Sequence, residues 1–180
     1  YNVAGLCSYD LFDEINFEEW FSQGLVKEVQ NKSPNYRIIR RRVIWLVGEW
    51  INVKLSHPYR SMLYEIIINL MNESEDLVVR LNASKTLQSA VDDFEFRTED
   101  FLPYLEASVS SMFKLLCDAK ECDTKMHILF VMSMVIERVG SKIRPYVASL
   151  AGYLPKLWVE SEEHNMLRCS ILTTLTFIVK

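Results

Sequence analysis

The sequence predicts an all-α fold, a solenoid of paired helices, and two observations support this prediction. A Pro-Tyr dipeptide recurs at Pro58, Pro103 and Pro145, at intervals of 45 and 42 residues. An apolar stripe follows each proline at helical spacing. The first position of a helix needs no N–H donor, and the φ angle of proline is already helical. We therefore expect each of these prolines to open a helix.

The second observation is an apolar residue followed by arginine, which recurs at Arg40, Arg80 and Arg168. The last two arginines are 88 residues apart, which equals two periods of 44, so a further copy is expected near residue 123. At Lys125 the sequence departs from this pattern. Two helices in every roughly 40 to 47 residues are typical of HEAT or armadillo repeats, whereas tetratricopeptide repeats have a period of about 34.

These periods predict a single HEAT-repeat superhelix of about three full repeats with a half repeat on each side. The predicted bounds are residues 1–33 for the first half repeat, 34–74, 75–120 and 121–161 for the full repeats, and 162–180 for the last half repeat. The chain begins at Tyr1 rather than Met, and we interpret it as an interior fragment. Each repeat buries its apolar side on the next. We therefore expect the end helices to expose apolar faces and the isolated chain to self-associate.

Hydrophobic periodicity predicts the bounds of the helices in chain order. Residues 1–13 are predicted to be the end of a helix and a short acidic turn. Asn16 is the predicted N-cap of the next helix. Gly140 is expected to end a helix with a positive φ, and Pro155 to kink or shorten the helix that contains it. The predicted helices cover residues 16–31, 36–54, 58–72, 76–93, 102–118 and 124–140, then 145 to a turn at 160–164, and from there to the end of the chain.

Composition is typical of a globular helical protein. The chain has 180 residues, is 49% apolar and contains only five Gly and five Pro. Its formal net charge of −4 argues against binding to nucleic acid. Four scattered cysteines favour a reducing compartment over a disulfide framework. The longest apolar run, 128–136, is far shorter than the roughly 20 residues that span a bilayer, so we predict no membrane segment.

Candidate catalytic and metal-binding residues are scattered, and each has a simpler explanation. Cys117 and Cys122, with His127 nearby, lack the spacing of common zinc sites, so free thiols are the favoured interpretation. His57, His127 and His164 have no nucleophile at a recognisable spacing. The acidic clusters at 92–95 and 160–163 are predicted to be solvated turns. No glycine-rich phosphate loop is present. We therefore predict no enzymatic activity, no metal and no cofactor.

Arg37, Arg40, Arg41 and Arg42 form the one basic cluster of the sequence. Such a cluster could be a nuclear localisation signal or a phosphate-binding site. It lies, however, on a helix with an apolar side. A solvated face is therefore the favoured interpretation, with Arg40 bonded to the preceding turn.

A solenoid binds extended partners along the face that one helix of each pair lines. We expect the helices that begin with Pro-Tyr to line this concave face. The predicted partner surface is the set of positions on these helices that lie outside the apolar stripe: Glu65, Asn69, Glu106, Ser110, Lys114, Gly152 and Lys156.

Two longer runs, at residues 37–50 and 76–87, resemble receptors of the importin-β superfamily. The first run contains the basic cluster and ends in Val-Gly-Glu-Trp, and the second contains Asp-Leu-Val-Val-Arg and is followed by Asp92-Asp93-Phe94. The resemblance covers essentially the whole chain. It implies the same HEAT-repeat fold that the periodicity predicts.

The resemblance further implies a nuclear import receptor that shuttles through the nuclear pore between cytoplasm and nucleus. Receptors of this family bind protein cargo, contact phenylalanine-glycine nucleoporins, and are regulated by Ran in its GTP form. In that family Ran is held chiefly by amino-terminal repeats, so we expect its site to lie mainly outside this chain. Two alternatives stay open: a HEAT scaffold of a phosphatase or vesicle-coat assembly, and the helical flank of a large enzyme.

Overall fold

The computed structural model describes residues 1–179, in which helices alternate with short turns and no β-strand occurs. The predicted all-α class is therefore confirmed. The α-helices, in chain order, are α1 (Asn2–Leu6), α2 (Phe17–Trp20), α3 (Val26–Gln30), α4 (Arg37–Lys54), α5 (Arg60–Leu70), α6 (Leu77–Asp92), α7 (Thr98–Asp118), α8 (Cys122–Val139), α9 (Val147–Glu160) and α10 (Asn165–Val179). Short 3-10 helices precede α4, α5 and α9, at Pro34–Tyr36, His57–Tyr59 and Gly140–Tyr146.

The chain forms two compact units, residues 1–104 and the residues from 105 onward. The first unit contains α1 to α6 and the start of α7. The second contains the rest of α7 and α8 to α10. In each unit a helix packs on the helix two places further along the chain, α4 on α6 and α8 on α10.

A buried hydroxyl joins α4 to α6 in the first unit. The Oγ1 atom of Thr86 donates a hydrogen bond of 2.8 Å to the backbone carbonyl of Ile44. Gly48 lies opposite, and a Cβ atom at this position would come within 3.1 Å of Thr86 Oγ1. The absent side chain therefore allows the two helices to approach closely.

A buried aromatic cluster joins α1, α2 and α4. The rings of Trp50 and Phe17 are stacked with their centroids 4.6 Å apart. Both side chains are fully buried. The indole Nε1 of Trp50 donates to the backbone carbonyl of Ala4 over 2.7 Å, so the polar atom of this ring also has a partner.

The second unit contains the counterpart of the hydroxyl contact. Ser133 of α8 and Thr174 of α10 are both buried, and their hydroxyl oxygens lie 2.9 Å apart. Thr174 follows Thr86 by 88 residues, the same separation as between Arg80 and Arg168. The hydroxyl contact therefore recurs with the period of the repeat.

The helix at the second Pro-Tyr dipeptide begins earlier than predicted. Pro103 lies inside α7, which starts at Thr98 rather than near residue 102. Glu99 and Asp100 occupy the first turn, where the positive end of the helix dipole interacts favourably with carboxylates. Pro103 has no N–H to donate to the backbone carbonyl of Glu99, four residues earlier. Both residues are exposed, so water can bind to that carbonyl instead.

Other local predictions had mixed outcomes. Gly140 does end α8 with a positive φ of 54°, as predicted. Asn16 precedes α2, but its side chain makes no capping bond and instead donates to Glu19 over 2.9 Å. Pro155 does not shorten α9, which continues to Glu160, because the proline lies on the exposed side.

The helix predicted over 16–31 contains a feature that its apolar period did not indicate. A π-helical segment, Phe21–Leu25, lies between α2 and α3. Phe21 and Leu25, its first and last residues, are buried, and so are Phe17 before it and Val29 after it. The predicted apolar stripe is therefore formed, although Trp20 is only half buried.

Both end helices expose apolar side chains, as predicted. Val3 and Leu6 of α1 are more than two-thirds exposed, and so is Met166 of α10. Self-association of the isolated chain stays a prediction.

Candidate functional site

A buried arginine at the start of α4 fixes the preceding turn. The guanidinium of Arg40 donates to the backbone carbonyls of Asn31 over 2.6 Å and Ser33 over 3.0 Å. Only 4% of its side chain is exposed. Helix ends leave carbonyls without intrahelical partners, and here the next helix supplies the donor. We refer to such a bond, from an arginine near a helix start to a carbonyl of the turn before it, as an arginine–turn contact.

Glu75 completes the environment of Arg40 from the turn before α6. Its two carboxylate oxygens accept from Arg40 Nε and from a terminal nitrogen of the same guanidinium, both over 2.7 Å. Burial by itself raises the pKa of Glu75, but the bonds from Arg40 and the Asp76 N–H, with the Arg40 charge, lower the pKa below its usual range. The ionised pair therefore joins the turn before α4 to the turn before α6 through one side chain.

Arginine–turn contacts recur at the positions that the sequence pattern marked. Arg80 is buried, and its Nε donates to the carbonyl of Met71 over 3.3 Å. Arg168 makes a weaker bond of 3.5 Å to the carbonyl of Trp158, and its guanidinium also lies 4.8 Å from the centre of that indole ring. The prediction that Arg40 bonds to the preceding turn is confirmed, and two other helices do the same.

The prediction of a solvated face holds for only part of the basic cluster. Arg40 lies outside this face, as predicted, because its guanidinium bonds to the preceding turn. Arg37 and Arg41 are exposed. Arg42 is half buried, with its guanidinium 5.3 Å from the centre of the Trp45 ring. One helix therefore presents its arginines to three different environments.

Asp93 corrects the prediction that the acidic cluster at 92–95 is wholly solvated. Asp93 and Arg60 are both buried and form an ion pair between the end of α6 and the start of α5. A nearby pair joins His57 Nε2 to Asp100 over 2.6 Å, at half-exposed positions. Asp92 and Glu95 are exposed. A separation of 33 residues between Arg60 and Asp93 explains why local sequence gave no sign of the buried pair.

Cys117, Cys122 and His127 belong to no metal-binding cluster in the part of the chain that the structure describes. The four cysteines form no disulfide bond. Cys117 interacts with Tyr153, whose pKa rises to about 12 through burial first and then through the neighbouring Cys117 and Glu160. Residues 1–179 hold no group of three or more His, Cys, Asp or Glu side chains arranged for a metal ion. None of the helices in this range has the length and apolarity to cross a membrane.

Two of the predicted partner residues line a groove in the first unit. Glu65 and Asn69 are exposed on α5 and border a groove of about 350 Å³. Its apolar wall includes Val26, Met62 and Ile66. The groove can take a short apolar side chain next to a carboxylate and an amide.

Two further predicted residues line a groove in the second unit. Glu106 and Ser110, exposed on α7, border a groove of about 290 Å³ whose apolar wall includes Phe113, Tyr146 and Leu150. The other predicted positions, Lys114, Gly152 and Lys156, are also exposed. Lys156 lies 3.8 Å from Glu160, one helical turn further along α9. Contact of any of these residues with a partner stays a prediction.

Comparison with known proteins identifies what this arrangement of helices resembles. The chain is 56% identical to human importin-11 over all 180 residues, and 55% identical to mouse importin-11. It is also 29% identical over 149 residues to the importin β-like protein KAP120 of Saccharomyces cerevisiae. The predicted resemblance to the importin-β superfamily is confirmed.

A solved structure supports the HEAT-repeat fold. A bidirectional nuclear transport receptor of S. cerevisiae, Lph2, superimposes with a TM-score of 0.89 over 97% of this chain, at 26% sequence identity. The predicted HEAT-type solenoid is therefore confirmed as the fold, whereas the bounds of individual repeats stay predictions. No family model matches the sequence. The chain spans 18% of the length of the importin-11 proteins that it matches.

Arg40 and Arg41 form a matched pair for a test of the arginine–turn contact. Replacing Arg40 by Met is expected to lower the free energy of unfolding by about 3 to 5 kcal/mol, because Glu75 is left buried without its cation. Arg41→Met is the control and should change it by less than about 0.5 kcal/mol, since Arg41 is exposed. Urea denaturation measures both values. Equal effects of the two substitutions would contradict the assigned role of Arg40.

The lowered pKa of Glu75 predicts a pH dependence of stability. A carboxylate with a lowered pKa in the folded state stabilises the protein above its ordinary value of 4.5, and this contribution is lost as pH falls through the folded pKa. The wild-type chain and a Glu75→Gln variant should therefore differ most in unfolding free energy above pH 4.5. The difference should shrink at lower pH. A difference that grows on acidification would contradict the ionised pair.

Proposed function

We propose that the chain is a segment of a nuclear import receptor of the karyopherin-β type, which binds protein cargo and is regulated by Ran in its GTP form. The observation that carries this proposal is the 56% identity to human importin-11, which extends over every residue of the chain. The yeast protein Lph2, whose structure superimposes on the chain, is a nuclear transport receptor, and this likeness points in the same direction.

The exposed grooves suit binding through many modest contacts. The grooves beside Glu65 and beside Glu106 each combine an apolar wall with a carboxylate at the rim. We propose that Glu65, Asn69, Glu106, Ser110, Lys114 and Lys156 contact cargo. Binding that is spread over several small grooves gives a moderate free energy at each, so that a competing ligand such as Ran can release the cargo.

The same proposal assigns the remaining properties of the receptor. It acts by binding rather than by catalysis, it contacts nucleoporins, and it shuttles between cytoplasm and nucleus. Ran binds mainly through repeats outside this chain. Cargo and Ran oppose each other by reciprocal linkage, in which each weakens the binding of the other by the same factor.

A chimera tests the proposal directly. In human importin-11, the segment that matches this chain is replaced by residues 1–180 of this chain, and proteins are recovered from cytosol with and without Ran locked in its GTP form. The chimera is expected to recover the same proteins as unmodified importin-11 and to release them when Ran is added. Circular dichroism first establishes that the chimera is folded.

Two results would contradict the proposal. A folded chimera that recovers none of the proteins bound by importin-11 would show that the segment does not serve the same function. A chimera whose bound proteins stay in place when Ran is added would favour the constitutive scaffold.

A further inference from the structure

A small apolar and basic patch lies where the start of α4 meets the start of α6. We call it the α4–α6 patch, and its members are Arg37, Ile38, Arg41, Asp76 and Val78, which together with the buried Val79 line a groove of about 210 Å³. Ile38 is 69% exposed and Val78 is 44% exposed. The groove lies within the first unit.

The stability of α4 does not explain the two arginines of this patch. Arg37 is the first residue of α4, and Arg41 lies one turn further along the same face. Cations are unfavourable near the positive end of a helix dipole, and like charges four residues apart repel each other. The first turn of α4 contains no carboxylate that could offset this repulsion.

The charges around the patch leave it positive. Asp76 is the nearest carboxylate, and its Oδ2 lies 3.4 Å from Arg37, while its Oδ1 accepts from the N–H of Val78 at the start of α6. Glu75, in the same turn, is bonded to Arg40. Arg41 makes no ion pair or hydrogen bond within residues 1–179. One cation of the patch is thus weakly paired and the other is free to bind an anion.

The exposed apolar residues of the patch favour a ligand that carries an apolar group in addition to an anionic one. Ile38 points outward from a helix whose buried side is already complete with Val43, Leu46 and Val47. Ile38 and Val78 are exposed beside the unpaired Arg41, a combination that is complementary to a segment that is both apolar and acidic. The floor of the patch is aliphatic and offers no aromatic ring on which a base could stack, which disfavours single-stranded nucleic acid.

We propose that the α4–α6 patch is a docking surface for an acidic segment of a partner protein that carries an apolar side chain. The apolar side chain lies against Ile38 and Val78, and carboxylates on either side of it pair with Arg41 and Arg37. The aliphatic side chains of Ile38 and Val78 favour an apolar group in the ligand, and the unpaired Arg41 favours a carboxylate. This surface is distinct from the exposed positions on α5, α7 and α9 proposed for cargo.

One segment of the chain itself has the chemistry of such a ligand. Phe94 is fully exposed and lies between Asp92 and Glu95, both exposed as well. A second copy of the chain could therefore occupy the patch in place of another protein. The experiment must separate these two occupants.

The test uses fluorescence anisotropy with a labelled seven-residue peptide, in which one Phe is flanked on each side by Glu and Asp. The chain is expected to bind this peptide, and Arg41→Glu should weaken binding by about tenfold, because it removes one ion pair and adds a repulsion. Ile38→Ser should weaken binding to a similar extent by removing apolar contact. Neither residue is buried, so both variants are expected to fold.

Three controls make the result specific. Lys120→Glu, at an exposed position outside the patch, should leave peptide binding unchanged. A peptide with Gln and Asn in place of Glu and Asp should bind at least about tenfold more weakly than the acidic peptide. Added salt should weaken binding of the acidic peptide, because exposed ion pairs are screened.

Equal binding of the acidic and the neutral peptide, or no effect of Arg41→Glu, would overturn the proposal. Sedimentation equilibrium tests the second occupant. If the chain associates with itself, and if both Arg41→Glu and Phe94→Ser abolish that association, the patch binds a second copy and the partner assignment is wrong. Self-association that is unaffected by Arg41→Glu is the result expected from this proposal.

Discussion

The fold depends on buried guanidinium groups that bind backbone carbonyls in the turns between helices. A turn that ends a helix exposes carbonyls without intrahelical partners, and the five N–H donors of arginine can satisfy several of them at once. Arg40 does this for two carbonyls and also binds Glu75 in the turn before α6. Arg80 and Arg168 repeat the contact with their own preceding turns. In α4, α6 and α10 the start of the helix is therefore tied to the preceding turn by a side chain of that same helix.

This arrangement leaves the outer positions of the helices available for binding. Arg40 and Arg41 are neighbours in sequence, yet the first is buried in the contact with its turn and the second is exposed without a partner. The buried hydroxyls of Thr86 and Thr174 likewise hold one helix to another from within. Exposed residues such as Glu65, Glu106 and Ile38 carry little of the stability. Their side chains can therefore vary at little cost to the fold, which leaves them available for contact with a partner.

The sequence predicted those features that repeat along it, and it missed those that depend on distant partners. Its period predicted paired helices, the apolar stripe that contains Phe17 and Leu25, and the bond from Arg40 to the preceding turn. It could not predict that Glu75 and Asp93 are buried, because their arginine partners are 35 and 33 residues away. The predicted start of α7 is too late because Pro103 is a strong helix-start signal, whereas the acidic first turn at Glu99 and Asp100 begins the helix at Thr98. The exposure of Glu65, Asn69, Glu106 and Ser110 follows from helical spacing, but spacing carries no information about their proposed contact with a partner.

Native-state hydrogen exchange on an Arg80→Met variant tests the role of the arginine–turn contacts most directly. In a repeat protein each unit is coupled mainly to its neighbours, so loss of one contact should act locally. The backbone amides of residues 71–76 and of α6 are expected to exchange faster, while those of α8 and α10 keep their wild-type protection. Unchanged exchange in the 71–76 turn would contradict the claim that arginine fixes the turn. An equal increase throughout the chain would show that the contact acts on global stability and not on its own repeat.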